Sequence, residues 1–197
     1  MIIKRIVDIV FSLCGLILLL PLFLAIAIWI KCDSPGPVFF RQERVGYLGR
    51  LFRMHKFRTM FADASGISLT MNNDPRVTRC GRFLRRFKLD ELPQLFDVLA
   101  GNMSLVGPRP EVPRYMAHYP EEIKKIVLSV RPGITDMAAI HFKDENKLLR
   151  SATDPEKDYL EKILPLKIKL YQEYIANRSL ALDLKLIFQT IKALFTN

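Results

Sequence analysis

The longest apolar stretch of the chain runs from Ile9 to Ile30, "IVFSLCGLILLLPLFLAIAIWI", 22 residues without a charge. As a helix it would be about 33 Å long, close to the ~30 Å hydrocarbon thickness of a bilayer. A cleavable signal peptide fits poorly, because the run is too long and no small-x-small cleavage site follows it. Both flanks are basic, with Lys4 and Arg5 before the run and Lys31, Arg41 and Arg44 after it, so charge bias assigns both ends to the cytoplasm. Pro21, in mid-run, has no N–H, and its ring clashes with the carbonyl four residues back, which predicts a kink. A re-entrant helix that enters and leaves one leaflet reconciles flanks and proline. A kinked single span is the commoner arrangement, and the residues alone leave both open.

Past this segment, "CDSPGPVFF" breaks any helix at Ser34, Pro35, Gly36 and Pro37. "VFFRQERVGYLGRLFRMHKFRTM" then predicts two short strands around Gly46 and Gly49, a small half-buried β-hairpin. Residues 62–76 are small and polar and predict a loop. Leu92, Leu95, Phe96 and Leu99 recur at helical spacing and end at Gly101; further helices are expected near 112–130 and 155–177. In the last segment Leu180, Leu184, Ile187, Ile191 and Leu194 share a face, with Lys185 and Lys192 off it, a pattern that suits an interfacial helix on a bilayer as well as core packing. The fold class is therefore α+β, predominantly helical, with residues 1–33 as the membrane segment and 34–197 as a cytosolic catalytic domain.

The chain of 197 residues suffices for one domain with a real core, and its formal charge of +10 implies an acidic partner. Thirteen Lys and Arg stand against four Asp and Glu between Lys31 and Lys88, so nearly the whole excess lies there. Lipid headgroups beside the apolar segment account for part of it. Nucleic acid is the weaker partner class, since no recognition signature for DNA or RNA accompanies the basic residues. Cys14, Cys32 and Cys80 are odd in number and follow no CxxC spacing, which argues against a disulfide framework or a zinc site.

Candidate chemistry centres on "RRFKLDELPQLFDVLAGNMSLVGPRP", residues 85–110. Asp90 and Glu91 have a plain explanation as a helix start, Asp90 capping and Glu91 favouring the dipole. Their context raises them: Arg85, Arg86 and Lys88 precede them, a helix terminus attracts phosphate, and a carboxylate there can hold Mg²⁺ or attack phosphorus. Arg109 and Arg131 each precede a proline, which holds the arginine backbone extended and projects a planar guanidinium suited to phosphate. Two such arginines flanking a carboxylate pair favour a diphosphate site. No GxxxxGK, GxGxxG or HExxH motif occurs, and His55, His118 and His141 are scattered singles, of which only His55, beside "KFRTM", is of interest.

"KFRTM" (56–60), "LDELPQLFDVLAGNMSLVGPRP" (89–110) and "RPGIT" (131–135), behind a proline-containing apolar helix, resemble the monotopic bacterial sugar transferases, the polyprenyl-phosphate phosphoglycosyl transferases. The resemblance covers roughly the whole chain. It implies a re-entrant membrane helix broken at Pro21 and a location on the cytoplasmic face of the bacterial inner membrane. It further implies a Mg²⁺-dependent ping-pong reaction in which Asp90 takes a sugar phosphate from a UDP-sugar, releasing UMP, and passes it to polyprenyl phosphate. By the same carry-over Asp90 also lies at the metal, Glu91 assists, and Arg85, Arg109, Lys56, Arg58 and Arg131 hold phosphates. The partners implied are UDP-sugar, polyprenyl phosphate and the bilayer, with no nucleic acid; a homodimer is left open.

The chain departs from the family pattern at Leu20, where many members place Ser before the proline, and at Asp136-Met137, where many read Gly-Trp. The second departure bears on the nucleotide-sugar pocket. It resembles the minimal catalytic form of the family, without extra N-terminal membrane helices. Two other functions compete: a membrane-anchored basic scaffold, and a nucleotide-diphosphate hydrolase.

Overall fold

A computed structural model describes residues 2–62, 74–142 and 154–195. Of the polar stretch expected to loop at 62–76, residues 63–73 lie outside them.

Helix α1 spans Ile2–Asp33. Asp8, Ser12, Phe23, Ile26 and Ile30 are buried along one side, while Ile17, Leu18, Leu20, Leu24 and Ile28 on the others are more than half exposed. An exposed apolar surface of this extent is foreign to a water-facing helix and suits lipid. Pro21 is an internal residue of α1, which is helical through it. The break expected there is therefore one missing N–H donor, that to the Ile17 carbonyl, and not an end to the helix; the neighbouring leucines and alanines are strong helix formers that carry the chain across.

Strands β1 (Phe39–Val45) and β2 (Leu51–Phe57) form the expected antiparallel hairpin, with Phe40 opposite Lys56 and Arg44 opposite Phe52. Helix α2 (Arg79–Arg86) follows, then a 3-10 turn (Leu89–Glu91) and α3 (Gln94–Leu99). The apolar stripe predicted for α3 turns toward α1: Phe96 meets Phe23 edge-on at 5.9 Å, and Leu92 joins the cluster of Phe23, Ile26, Ile30, Phe57, Cys80 and Leu84. The inner side of α3 instead carries Gln94, Asp97 and Val98.

A second sheet, unforeseen as a pairing, joins β3 (Ser104–Val106) to β4 (Gly133–Thr135) in parallel. Two glycines permit it. A Cβ on Gly107 would lie 2.4 Å from the Arg131 carbonyl oxygen, and one on Gly133 would lie 2.1 Å from the Gly107 nitrogen, so only bare backbone allows the two Arg-Pro segments to touch. The helix expected at 112–130 is two short ones, α4 (Pro113–Met116) and α5 (Glu121–Leu128), parted before Pro120. After α6 (Met137–His141), α7 (Pro155–Asp158), a π-helical turn (Tyr159–Ile163) and α8 (Leu164–Asn177) make one helical run. Tyr115, Tyr119, Tyr159, Ile163, Ile168 and Tyr171 build the core there.

The last helix, α9 (Leu180–Phe195), buries Asp183 and Leu186 and leaves Leu180, Leu184, Phe188 and Ile191 exposed. Of the face predicted from spacing, Ile187 turns to the core side beside Tyr174 and Leu186. Lys4 of α1 reaches α9 by an ion pair to Asp183 at 2.5 Å, so the two helices that expose apolar surface are fastened together. Cys14, Cys32 and Cys80 are all free thiols.

Candidate functional site

Asp90 and Glu91 lie in the single turn between α2 and α3. The start of α2 is set by two oxygens: Thr78 Oγ1 accepts from the Gly81 N–H at 2.9 Å, and Asp33 Oδ2, at the end of α1, accepts from the Cys80 N–H at 2.9 Å. Gly81 lets α2 press on the segment after β2, since a Cβ there would fall 2.0 Å from the Thr59 carbonyl oxygen. The helix ends at Arg86, and Lys88 just beyond it takes a left-handed conformation, φ 53°, unfavourable for a side chain by about 1 kcal/mol. That reversal sets the following turn against β2. Asp90 is not a helix cap, contrary to its plain sequence explanation: neither the turn nor α3 has a side-chain cap.

The two carboxylates differ in their partners. Glu91 accepts from Lys56 Nζ at 2.9 Å and is forked by Arg109, whose Nη1 lies 3.3 Å from Oε2 and whose Nη2 bonds Oε1. Asp90, 9 % exposed, has no side-chain hydrogen bond or ion pair among the described residues. Burial, and then the charge on Glu91, push its carboxyl up to about 6, against the pull of Lys56, Arg85 and Arg109. Burial also opposes ionisation of Glu91, but Arg109 and then Lys56 overcome it and hold Glu91 well below the usual carboxylate range. Burial lowers the Lys56 ammonium, with Glu91 acting to keep it charged, while Glu91 pushes the Arg109 guanidinium upward. At neutral pH Asp90 is thus ionised yet poorly stabilised, the condition of a reactive carboxylate.

Four of the expected side chains meet here besides Asp90: Glu91, Lys56, Arg109 and Arg85. Arg85 donates from Nε to Thr59 Oγ1 at 2.8 Å and acts on Asp90 by charge. Arg58 and Arg131, the other two residues expected to hold phosphates, have their hydrogen bonds elsewhere. Arg58 is buried, and its guanidinium clamps the Ser34 carbonyl at 2.8 Å and the Pro35 carbonyl, satisfying oxygens freed where α1 ends. Arg131 donates from Nε to the Gly101 carbonyl at 2.8 Å and lies over the Tyr47 ring at 5.3 Å.

Arg44 is the residue sequence reasoning missed. It donates to the Pro110 carbonyl at 2.9 Å and to Gln42 Oε1 at 2.6 Å, keeps a buried Nε without a partner, and lies within electrostatic reach of Arg109 and Glu91. Hairpin parity is the signal that finds it, because residues 40, 42 and 44 share one face with 52, 54 and 56. His55 is held by Asp97, whose Oδ1 meets Nδ1 at 2.8 Å and whose Oδ2 accepts the His55 backbone N–H at 2.8 Å.

Lys56, Arg85 and Arg109 act on Asp90 by charge and Arg44 lies near Arg109 and Glu91, a set of cations that suits phosphate oxygens, with Glu111 offsetting part of the charge at Arg44 and Asp136 part of that at Arg109. Among the described residues no group of three or more His, Cys, Asp or Glu gathers as a metal cage. Asp90 offers one uncommitted carboxylate, which fits a Mg²⁺ held mainly by phosphate oxygens and water.

The family model described as bacterial sugar transferase matches residues 1–197. The chain is 42% identical over 193 residues to a UDP-glucose:undecaprenyl-phosphate glucose-1-phosphate transferase of Xanthomonas campestris pv. campestris, covering 95% of this chain and 37% of that protein. It is 39% identical over 198 residues to a UDP-N-acetylgalactosamine-undecaprenyl-phosphate N-acetylgalactosaminephosphotransferase of Aeromonas hydrophila, covering 98% of this chain and 44% of that one. An exopolysaccharide production protein of Rhizobium leguminosarum bv. phaseoli is 39% identical over 208 residues, covering 97% of this chain and 94% of the relative. The chain thus spans less than half the length of the first two. With the motif-bearing turn, the cation cluster and the match over its whole length, the chain belongs to the bacterial sugar transferase family.

Proposed function

We propose that this protein transfers a sugar-1-phosphate from a UDP-sugar to polyprenyl phosphate, releasing UMP, as the first membrane step of a glycoconjugate's assembly. The observation that carries the reading is the division of labour between neighbours: Glu91 is locked by Lys56 and Arg109, while Asp90, beside the same cations, is ionised and uncommitted. In the first step an Asp90 carboxylate oxygen bonds to the β-phosphorus and the bond to the bridging oxygen breaks, so UMP leaves with the electron pair. In the second, a phosphate oxygen of the lipid attacks the same phosphorus and Asp90 is released. Fixed cations offset the repulsion between anions in both steps. Mg²⁺, when bound, would add charge neutralisation on the phosphoryl oxygens. Glu91 then serves to set Lys56 and Arg109 in place. The relatives' names specify undecaprenyl phosphate with UDP-glucose or UDP-N-acetylgalactosamine, which supports this substrate class.

We also place the site at the cytoplasmic face, with α1 entering one leaflet only. Both ends of α1 are tied to the same body: Lys4 to Asp183, Arg5 to the Val98 carbonyl and Asp8 to Ser104 at one end, and Asp33 to the Cys80 N–H at the other. A helix about 48 Å long, fastened so, is badly placed to carry its ends to opposite sides of a ~30 Å core. The exposed leucines of α1 and of α9 would then rest in the same leaflet.

The experiment is UMP release by the purified chain with Mg²⁺, UDP-sugars and undecaprenyl phosphate, with and without the lipid. Lipid-dependent turnover that disappears in Asp90→Asn is expected. Continuous UMP release without lipid would make the protein a hydrolase, and salt-sensitive anion binding without turnover would make it a scaffold.

A further inference from the structure

Helix α2 carries two faces of opposite character. Its buried residues, Cys80, Gly81 and Leu84, press on α1 and on the segment after β2. Arg79, Arg82, Phe83 and Arg86, spaced i, i+3, i+4 and i+7, lie exposed together on the other side. No acid occurs in the helix, whose sequence is RCGRFLRR. Among the described residues the side chains of Arg79 and Arg86 have neither a hydrogen bond nor an ion pair, while Arg82 gives one N–H to the Val77 carbonyl at 3.4 Å. Aromatic rings run through the same face. Phe83, 43 % exposed, meets Phe87, 37 % exposed, at 4.8 Å, and meets Trp29 of α1, 41 % exposed, at 5.2 Å. The Arg86 guanidinium lies over the Phe87 ring at 5.6 Å. Three large rings in one open patch mark a surface that something covers.

Where the patch begins says what covers it. Trp29 closes the exposed apolar surface of α1, which includes Leu24 and Ile28, one turn before that helix ends at Asp33, and Asp33 in turn holds the start of α2. From α1 outward the surface is therefore aliphatic, then aromatic, then cationic, which is the order of acyl chain, glycerol backbone and phosphate through one leaflet. Arginine stems lie along rings while their heads reach phosphate oxygens, and a planar guanidinium takes such oxygens two at a time. A zwitterionic headgroup brings an ammonium that the arginines repel, so the complement is a headgroup of net negative charge. We propose that the outward face of α2, Arg79, Arg82 and Arg86 with Phe83, Phe87 and Trp29, docks anionic phospholipid headgroups. The same helix carries Arg85 and leads into the turn of Asp90 and Glu91, so lipid held on its outer face fixes the depth of that turn at the membrane surface. The proposal rests on the placement of α1 in one leaflet and is independent of the transfer reaction.

Trp29 is the chain's single tryptophan and lies in the patch, so its fluorescence reports what touches the patch. The test reconstitutes the full chain in bilayers of phosphatidylcholine and phosphatidylglycerol, without polyprenyl phosphate, with one lipid or the other brominated on its acyl chains. The expected result is stronger quenching by brominated phosphatidylglycerol at equal mole fraction, equivalent to a local enrichment of about twofold or more, and its loss at high salt. Arg79→Gln/Arg86→Gln removes two charges that hold no polar partner in the protein, so it should leave the melting temperature unchanged and bring the two lipids level. Arg79→Lys/Arg86→Lys should keep the preference. Equal quenching in wild type, or a preference that survives the Gln double variant, would overturn the proposal and leave α1 in the bilayer. Quenching by neither lipid would overturn it together with the placement of α1, and would give this face to solvent or to another protein.

Discussion

Asp90 and Glu91 are adjacent in the chain and opposite in electrostatic state: Glu91 is held well below the usual carboxylate range by Arg109 and Lys56, while Asp90 is pushed up to about 6 by burial and by Glu91 itself. One carboxylate organises the cations, and the other, beside them, has no hydrogen-bond partner of its own among the described residues. The charge that makes Glu91 a good anchor is the same charge that denies Asp90 full stabilisation.

Turnover should therefore depend on the ionisation of Asp90. The kcat/KM for UDP-sugar, which reports the free enzyme, should rise with pH around a midpoint of about 6 and level off above neutrality. Asp90→Asn should lower it by about 10³-fold or more above neutrality, with the difference narrowing below pH 6. Initial rates of UMP release across pH 5–8 check both statements, and a rate independent of pH below 6 would remove Asp90 from the reaction.

The raised carboxyl also makes a statement about stability. Between pH 4 and 6 the folded protein binds more protons at Asp90 than the unfolded chain does, so the folded state loses stability as pH rises through that window. Asp90→Asn escapes the loss. It should be more stable than wild type by roughly 1–3 kcal/mol at pH 7 and no more stable at pH 4. Denaturant melts at the two pH values decide this.

Glu91→Gln should act in the other direction. It keeps the shape but removes the charge shared by Lys56 and Arg109, leaving both partly buried cations without that counter-ion. A destabilisation of about 2–4 kcal/mol is expected, with a large fall in kcat. Asp90 would lose its repulsive neighbour as well, so the pH midpoint of any residual activity should move below 6.

Arg58 gives the cleanest separation of sequence motif from site. Arg58→Ala should cost about 2–3 kcal/mol of stability by freeing the Ser34 and Pro35 carbonyls, with the KM for UDP-sugar within about twofold of wild type. A selective rise in KM at unchanged melting temperature would return Arg58 to the phosphate site.

Much of this protein follows from local pattern. The apolar run of α1, the hairpin of β1 and β2, and the helical run ending at Asn177 each arise from periodicity or turn chemistry within a few residues, and so could be read directly. Asp90, Glu91 and Arg109 were legible because they sit in one short motif. The fate of each arginine was not. Arg109 and Arg131 share the same Arg-Pro context, and the β3–β4 pairing draws their segments together, yet one guanidinium meets Glu91 and the other a loop carbonyl and Tyr47. Arg58 lies in the same short motif as Lys56 and goes to the end of α1. A long flexible side chain takes the partner that folding brings within reach, and that partner comes from distant sequence. The chain alone determined which charges were available and that one long apolar helix would form; only tertiary contact decided which carboxylate would be neutralised and which left free, because desolvation and charge pairing exist only once the segments have met.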